Sequence, residues 1–182
     1  MRKAVGAVAV LSVLLTAGCA TLKAPLQPNG QKINLFLLVN RGDPAAMQEN
    51  QWKYRNEVGE YMESDLIRRL TELGYSVRQI QNRNEFTAGE GNYLFSIAIT
   101  SYYPGVIAGA PIGMSAIGQW GGGAKLITHY ELYGADVAAL TSSDAKPRSE
   151  HGWRGCVREN NTVTIKGVTV RLRAIYPAAP GQ

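Results

Sequence analysis

Between Trp52 and Leu73 the apolar residues recur at helical spacing: Tyr54, Val58, Tyr61, Met62, Leu66, Leu70 and Leu73. Charged and polar residues fill most of the positions between them, so the stretch predicts an amphipathic helix with one face on a core. Gly74 stands where a helix C-cap glycine belongs. The helix is bracketed by strand signals. Ile33–Val39 is a short apolar run closed by the turn formers Asn40 to Pro44, and Tyr75–Ile80 follows the glycine. Two helix starts are open: Asp43 as N-cap with Pro44 as first helical residue, or Asn50. Strand, long helix, cap glycine and strand make a βαβ-like opening, for which a parallel pair requires a right-handed crossover.

Downstream the period changes from helical to twofold. Tyr93–Tyr103 alternates, with Phe95, Ile97 and Ile99 on one face and Ser96 and Thr100 on the other. Lys125–Val137 does the same, with Leu126, Thr128, Tyr130 and Leu132 opposite Ile127, His129, Glu131 and Tyr133. Thr141–Glu150 reads as a polar loop. Trp153–Arg158, the pair Asn160-Asn161, and Thr162–Ile175 read as strand, turn and a further strand or hairpin. Within the last of these the alternation changes phase at Lys166-Gly167, which predicts a bulge or tight turn. The expected fold is therefore α+β: one long amphipathic helix packed on a mixed, mostly antiparallel sheet of about five to six strands. A single domain is expected over 33–176, with a disordered tail over 177–182.

The N-terminus carries a different kind of information. Arg2 and Lys3 precede an apolar run from Ala4 to Leu15, and Thr16, Ala17 and Gly18 are small. This is the layout of a secretory signal. The run is too short for a spanning helix, which needs roughly 20 apolar residues. Leu14-Leu-Thr-Ala-Gly-Cys19 resembles the lipobox of bacterial lipoproteins, with Thr16 standing where Leu is usual. The resemblance implies cleavage between Gly18 and Cys19. It also implies a diacylglyceryl group on the Cys19 sulfur and an acyl chain on its new amino group. Each buried methylene contributes about 0.8 kcal/mol, so two or three chains anchor firmly. Ala20, in place of an inner-membrane-retaining Asp, implies the outer membrane and a domain on its periplasmic face. Residues 19–32 then read as the lipidated N-terminus and a flexible tether.

Composition narrows the rest. The formal charge of +5 includes Arg2 and Lys3, so the processed chain is only mildly basic. That surface, in an exported protein, gives no case for nucleic acid. With Cys19 acylated, Cys156 is the remaining thiol, and burial is the expectation for it.

Pro104–Gly123 joins the two best strands with no charged residue and seven glycines. Gly105, Gly109 and Gly113 are four apart, the small-residue spacing of closely packed helices, but Pro111 argues against one continuous helix. Three readings stand: a loop folded back on the domain, an exposed apolar contact surface, or a membrane-inserted hairpin. Trp120, Tyr102, Tyr103, Tyr130 and Tyr133 surround it in sequence. The candidate interaction surface is accordingly Gly105, Gly109, Gly113, Trp120, Gly122, Tyr102 and Tyr103.

The succession of lipobox, tether, strand, helix ending Leu70-Thr-Glu-Leu-Gly-Tyr75, strand ending Tyr102-Tyr-Pro-Gly105, Gly-rich stretch and Tyr/Leu strand resembles the YajG-type periplasmic lipoproteins. These share the small α/β domain of the curli secretion lipoprotein CsgG. The resemblance covers roughly 33–140, and it implies no catalytic residues. The strand expected over Thr162–Tyr176 departs from the family, whose members close with a C-terminal helix.

Catalytic and metal patterns are absent from the sequence. His129 and His151 have no partner at zinc-ligand spacing, and neither a metal nor a cofactor is expected beyond the covalent lipid. His129 and Glu131 share a strand face and read as a half-buried cross-strand pair. Ser115 lies in Gly113-Met-Ser-Ala-Ile-Gly118, which misses the nucleophile-elbow spacing by one residue. Glu57, Glu63 and Asp65 read as the solvated face of the helix, and Arg41-Gly42-Asp43 as a turn. The expected function is a non-enzymatic assembly or interaction module of the envelope. It would be bound to the membrane by lipid, with a protein partner or self-association and no evident small-molecule substrate. Alternatives are a component of a secretion, conjugation or pilus apparatus, and an envelope-modifying enzyme, for which His129, Glu131 and Ser115 would have to converge.

Overall fold

The computed structural model describes residues 23–103, 124–135, 139–146, 148–149 and 152–177. The chain runs β1 (Asn34–Asn40), α1 (Glu49–Leu73), β2 (Ser76–Gln79), β3 (Asn92–Tyr103), β4 (Ala124–Tyr133), β5 (Ala139–Ala145), β6 (Arg148–Ser149) and α2 (Gly152–Ile175). It is an α+β fold with a six-stranded mixed sheet in the order β2-β1-β3-β4-β5, β6 pairing with β4. β1 is parallel to both β2 and β3, while β4 is antiparallel to β3, β5 and β6. β5 and β6 together replace the polar loop expected over Thr141–Glu150.

Both candidate starts before α1 are used in part. Asp43 accepts from the Ala45 amide and caps a short 3-10 turn over Pro44–Ala46. The α-helix itself begins at Glu49, one residue before Asn50, with Gln48 as its cap. Gly74 ends it with φ of 109°, a left-handed conformation that glycine adopts without Cβ penalty. Its amide bonds back to the last turn at Leu70 and Thr71.

The end of the chain corrects the strand expectation. Residues 152–175 form one helix, so there are two long helices, and the phase change at Lys166-Gly167 is no bulge. The buried residues of α2 are Cys156, Val157, Asn160, Asn161, Thr164, Ile165, Val168, Thr169 and Leu172, pairs repeating every four residues down one helical stripe. Cys156 is buried as expected.

Both helices lie on one face of the sheet. Val58, Met62, Leu66 and Leu70 of α1 and Val157, Ile165, Val168 and Leu172 of α2 pack on Leu35, Leu37, Phe95, Ile97, Leu126 and Leu132. α2 approaches β4 closely at Gly167, where a Cβ would overlap the Tyr130 hydroxyl and stand 3.0 Å from its Cζ. On the other face a smaller cluster of Phe36, Ile80 and Leu94 is covered by Phe86 from the β2–β3 connection. β1 is thus buried on both sides, which accounts for its unbroken apolar run.

Candidate functional site

The domain has two poles. β3 spans 12 residues and α1 25 residues, which at standard rises separate the poles by roughly 35–40 Å. At one pole the incoming chain is docked. The Ala24 amide donates to Leu73 O at 2.8 Å, and Arg173 Nη2 donates to Lys23 O at 2.7 Å, so the chain meets the C-terminal ends of both helices. Leu26 bridges Lys32, and Gln27 is buried with its Nε2 donating to Lys32 O. Residues 23–32, expected as part of a free tether, therefore lie against the domain.

At the opposite pole are the N-termini of both helices, the carboxyl end of β3 and the start of β4. Tyr103 and Lys125 are register partners there, and β6 closes the corner by pairing with Ala124 and Lys125. The candidate surface residues Tyr102 and Tyr103 occupy this pole, both partly exposed. Gly105, Gly109, Gly113, Trp120 and Gly122 lie outside the described residues, as do Gly18, Cys19, Ser115 and His151.

The expected aromatic cluster separates. Tyr130 is buried beneath α2. Tyr133 pairs with Leu94 near the start of β3, far from this pole, and packs on the other face of the sheet beneath the Arg83 guanidinium. Tyr102 packs against the helix-side core.

Between the first turns of α1 and the end of β3 lies a pocket of about 320 Å³, lined by Met47, Gln51, Tyr54, Arg55, Ser101 and Tyr102. A register shift between Ile99 and Ser101 marks the end of β3 beside it. Arg55 reaches in from α1 and one Nη donates to the Ile99 carbonyl. Its Nε is buried and meets no acceptor among the described residues. Burial lowers the Arg55 pKa below its ordinary value. Tyr102 is pushed up by burial and by the nearby Glu57 charge.

The acidic residues of α1 are not all on a solvated face. Glu57 is exposed, but Glu63 and Asp65 are 7% exposed each. Glu63 accepts from Arg41 at the end of β1 and from Gln79 of β2 at 3.0 Å. Burial pushes its carboxyl above the usual range, against the opposing pull of Arg41. Asp65 lies between the helices and accepts from Asn161 Nδ2 at 2.9 Å and Arg68 Nη2 at 2.8 Å, with Arg69 at 3.5 Å. Burial raises its pKa, but the hydrogen bonds from Asn161 and Arg68 and the arginine charges outweigh burial and hold Asp65 below the usual carboxylate range. Arg41 is therefore turned onto Glu63 and Asn56, and the Arg41-Gly42-Asp43 tripeptide links β1 to the 3-10 turn that Asp43 caps.

His129 and Glu131 share the sheet face away from the helices, partly exposed, with Nε2 and Oε1 3.9 Å apart. The closer partner is cross-strand: His129 Nδ1 stands 2.9 Å from Asp144 Oδ1 of β5. The hydrogen bond from His129 holds Asp144 below its ordinary value. Among the described residues no three His, Cys, Asp or Glu gather at metal-ligating range. No described helix is long and apolar enough to cross a membrane.

No family model matches the chain, and no curated protein matches it either. Several solved structures show distant likeness, two of them as follows. One is the PelC dodecamer from Paraburkholderia phytofirmans, 14% identical, with a TM-score of 0.43, covering 82% of this chain and 92% of that one. The other, from Helicobacter pylori, is described as a homolog of neuraminyllactose-binding hemagglutinin. It is 12% identical, with a TM-score of 0.29, and covers 85% of this chain and 90% of its own. Likeness at this distance carries no argument about what the present chain does.

Proposed function

We propose that this chain is a lipid-anchored envelope protein whose α+β domain is an assembly or interaction module, with its contact surface at the pole that carries Tyr102, Tyr103 and the roots of the 104–123 segment. The observation that carries this reading is the opposition of the two poles. Three residues separate Cys19 from Lys23, whose carbonyl is already bound by Arg173, and the four steps between the two reach about 14 Å at full extension. Lipid on Cys19 therefore keeps the docked pole near the bilayer and turns the Tyr103 pole toward the aqueous side. An uncharged, glycine-rich segment rooted there is best used against a protein surface.

Photo-crosslinking in intact cells tests this. A crosslinking side chain at Lys125, exposed at the distal pole, is expected to give a discrete protein adduct, lost when Val106–Gly122 is deleted from a chain that stays folded. The same group at Lys32, exposed at the docked pole, is expected to give none. Adducts from Lys32 alone, or an adduct at Lys125 that survives the deletion, would refute the assignment.

A further inference from the structure

Among the described residues three arginines are drawn partly out of water, and two of them meet acids. Arg41 is paired with Glu63, and Arg69 with Asp65. Arg55 is half-buried and forms no ion pair with a carboxylate among the described residues. Glu57 lies near enough to act on Tyr102, yet it does not pair with Arg55. The guanidinium is held in place by the Ile99 carbonyl, with Met47 Sδ 3.8 Å from its other Nη. Of its five N–H donors, Nε is buried and one on each Nη is turned to Ile99 or Met47, which leaves one N–H on each Nη for a ligand at the pocket wall.

A half-buried cation without a counter-charge costs stability. The other polar groups around it are neutral: the Gln51 amide and the hydroxyls of Tyr54, Ser101 and Tyr102. The Thr100 hydroxyl is already committed to the Ile127 carbonyl at 3.0 Å. The pocket opens outside the carboxyl end of β3, a parallel neighbour of β1. Open α/β sheets hold their ligands at this end of their strands.

We propose that this pocket binds a small carboxylate-bearing molecule, with Arg55 as the residue that takes the carboxylate. One guanidinium matches one carboxylate in charge and in the geometry of two parallel N–H···O bonds. The volume is at the low end of ligand pockets, the size of a single sugar acid or amino acid. Gln51 and the hydroxyls of Tyr54 and Ser101 are placed to hydrogen-bond the rest of such a ligand. The pocket shares Tyr102 with the proposed contact surface, but titration of the purified chain with a small molecule involves neither the lipid anchor nor a partner protein, so its failure and theirs are distinguishable.

The test is calorimetric titration of the full-length chain in detergent with D-glucuronate, beside D-glucose and inorganic phosphate. Saturable binding of glucuronate is expected, weakened at least tenfold by Arg55→Gln and with no comparable binding of glucose or phosphate. Gln51→Glu keeps Arg55 and its Ile99 bond but sets an internal carboxylate in the pocket, and it too is expected to weaken binding at least tenfold. No saturable binding of glucuronate, equal binding by both variants, equal binding of glucose, or tighter binding of phosphate would each overturn the proposal.

Discussion

Val168→Asp is expected to destabilise the domain by about 4 kcal/mol or more, enough to leave it unfolded or partly folded at 37 °C. Val170→Asp, two residues further on, is expected to change stability by no more than about 0.5 kcal/mol. Val168 is 0% exposed in the main core, whereas Val170 is 55% exposed on the outer side of α2. Two residues apart on a strand they would share a face and a fate; on a helix they stand on opposite sides. Urea unfolding followed by circular dichroism separates the two outcomes. Equal sensitivity at both positions would contradict a C-terminal helix.

Asp65→Ala is expected to cost about 3–5 kcal/mol, because it removes one side of a buried charged network and strands the rest. Asn161, 0% exposed, donates to Asp65 and to the Met62 carbonyl, and Arg69 also reaches across to the Arg158 carbonyl and Thr162. Without Asp65 the Asn161 amide loses its charged acceptor and Arg69 its counter-ion. The same carboxylate sets a pH dependence. Its folded pKa is depressed, so the unfolded chain takes up its proton first as the pH falls. The stability it contributes is fully present above about pH 4 and is lost as the pH drops through the folded value. Wild type should therefore lose more stability than Asp65→Ala between neutral pH and about pH 2. Parallel acid profiles for the two proteins would show that Asp65 is not held by this network.

Much of the first half of the fold is legible in the sequence because its signals agree. In 33–80 the apolar run, the 3.6-residue period, the capping glycine and the second strand all point to β1-α1-β2. β3 and β4 alternate cleanly because one face of each is buried under helices and the other is partly open. The C-terminal helix is obscured by its composition. Val163, Thr164, Ile165, Val168, Thr169 and Val170 are β-branched residues that favour strands, and Val163 and Val170 are exposed apolar residues outside the helical stripe. The stripe itself contains Asn160, Asn161, Thr164 and Thr169, which look like solvent positions until their partners are known. Thr128 bonds Asn160, Asp65 bonds Asn161, and Tyr75 bonds Thr169. Tertiary context here overrides local propensity.

The candidate site divides the same way. Tyr102 and Tyr103 are placed by the sequence at the edge of the glycine-rich segment, and in the fold they end β3, both partly exposed. Arg55 looks no different in sequence from Arg68, which is exposed on the same helix. Only the return of β3, more than forty residues later, sets a carbonyl against Arg55 and walls off its pocket. Glu63 and Asp65 are misread as solvated for the same reason, since their partners arrive from β1 and from α2.

Cys19 is the proposed anchor, and intact mass spectrometry of the chain purified from bacterial membranes tests it directly. The expected species is a polypeptide that begins at Cys19 and carries a diacylglyceryl group and an N-acyl chain. Cys19→Ser is expected to leave the precursor uncleaved at Gly18 and without lipid. A chain that retains Met1, or one cleaved elsewhere and bearing no lipid on Cys19, would contradict this assignment.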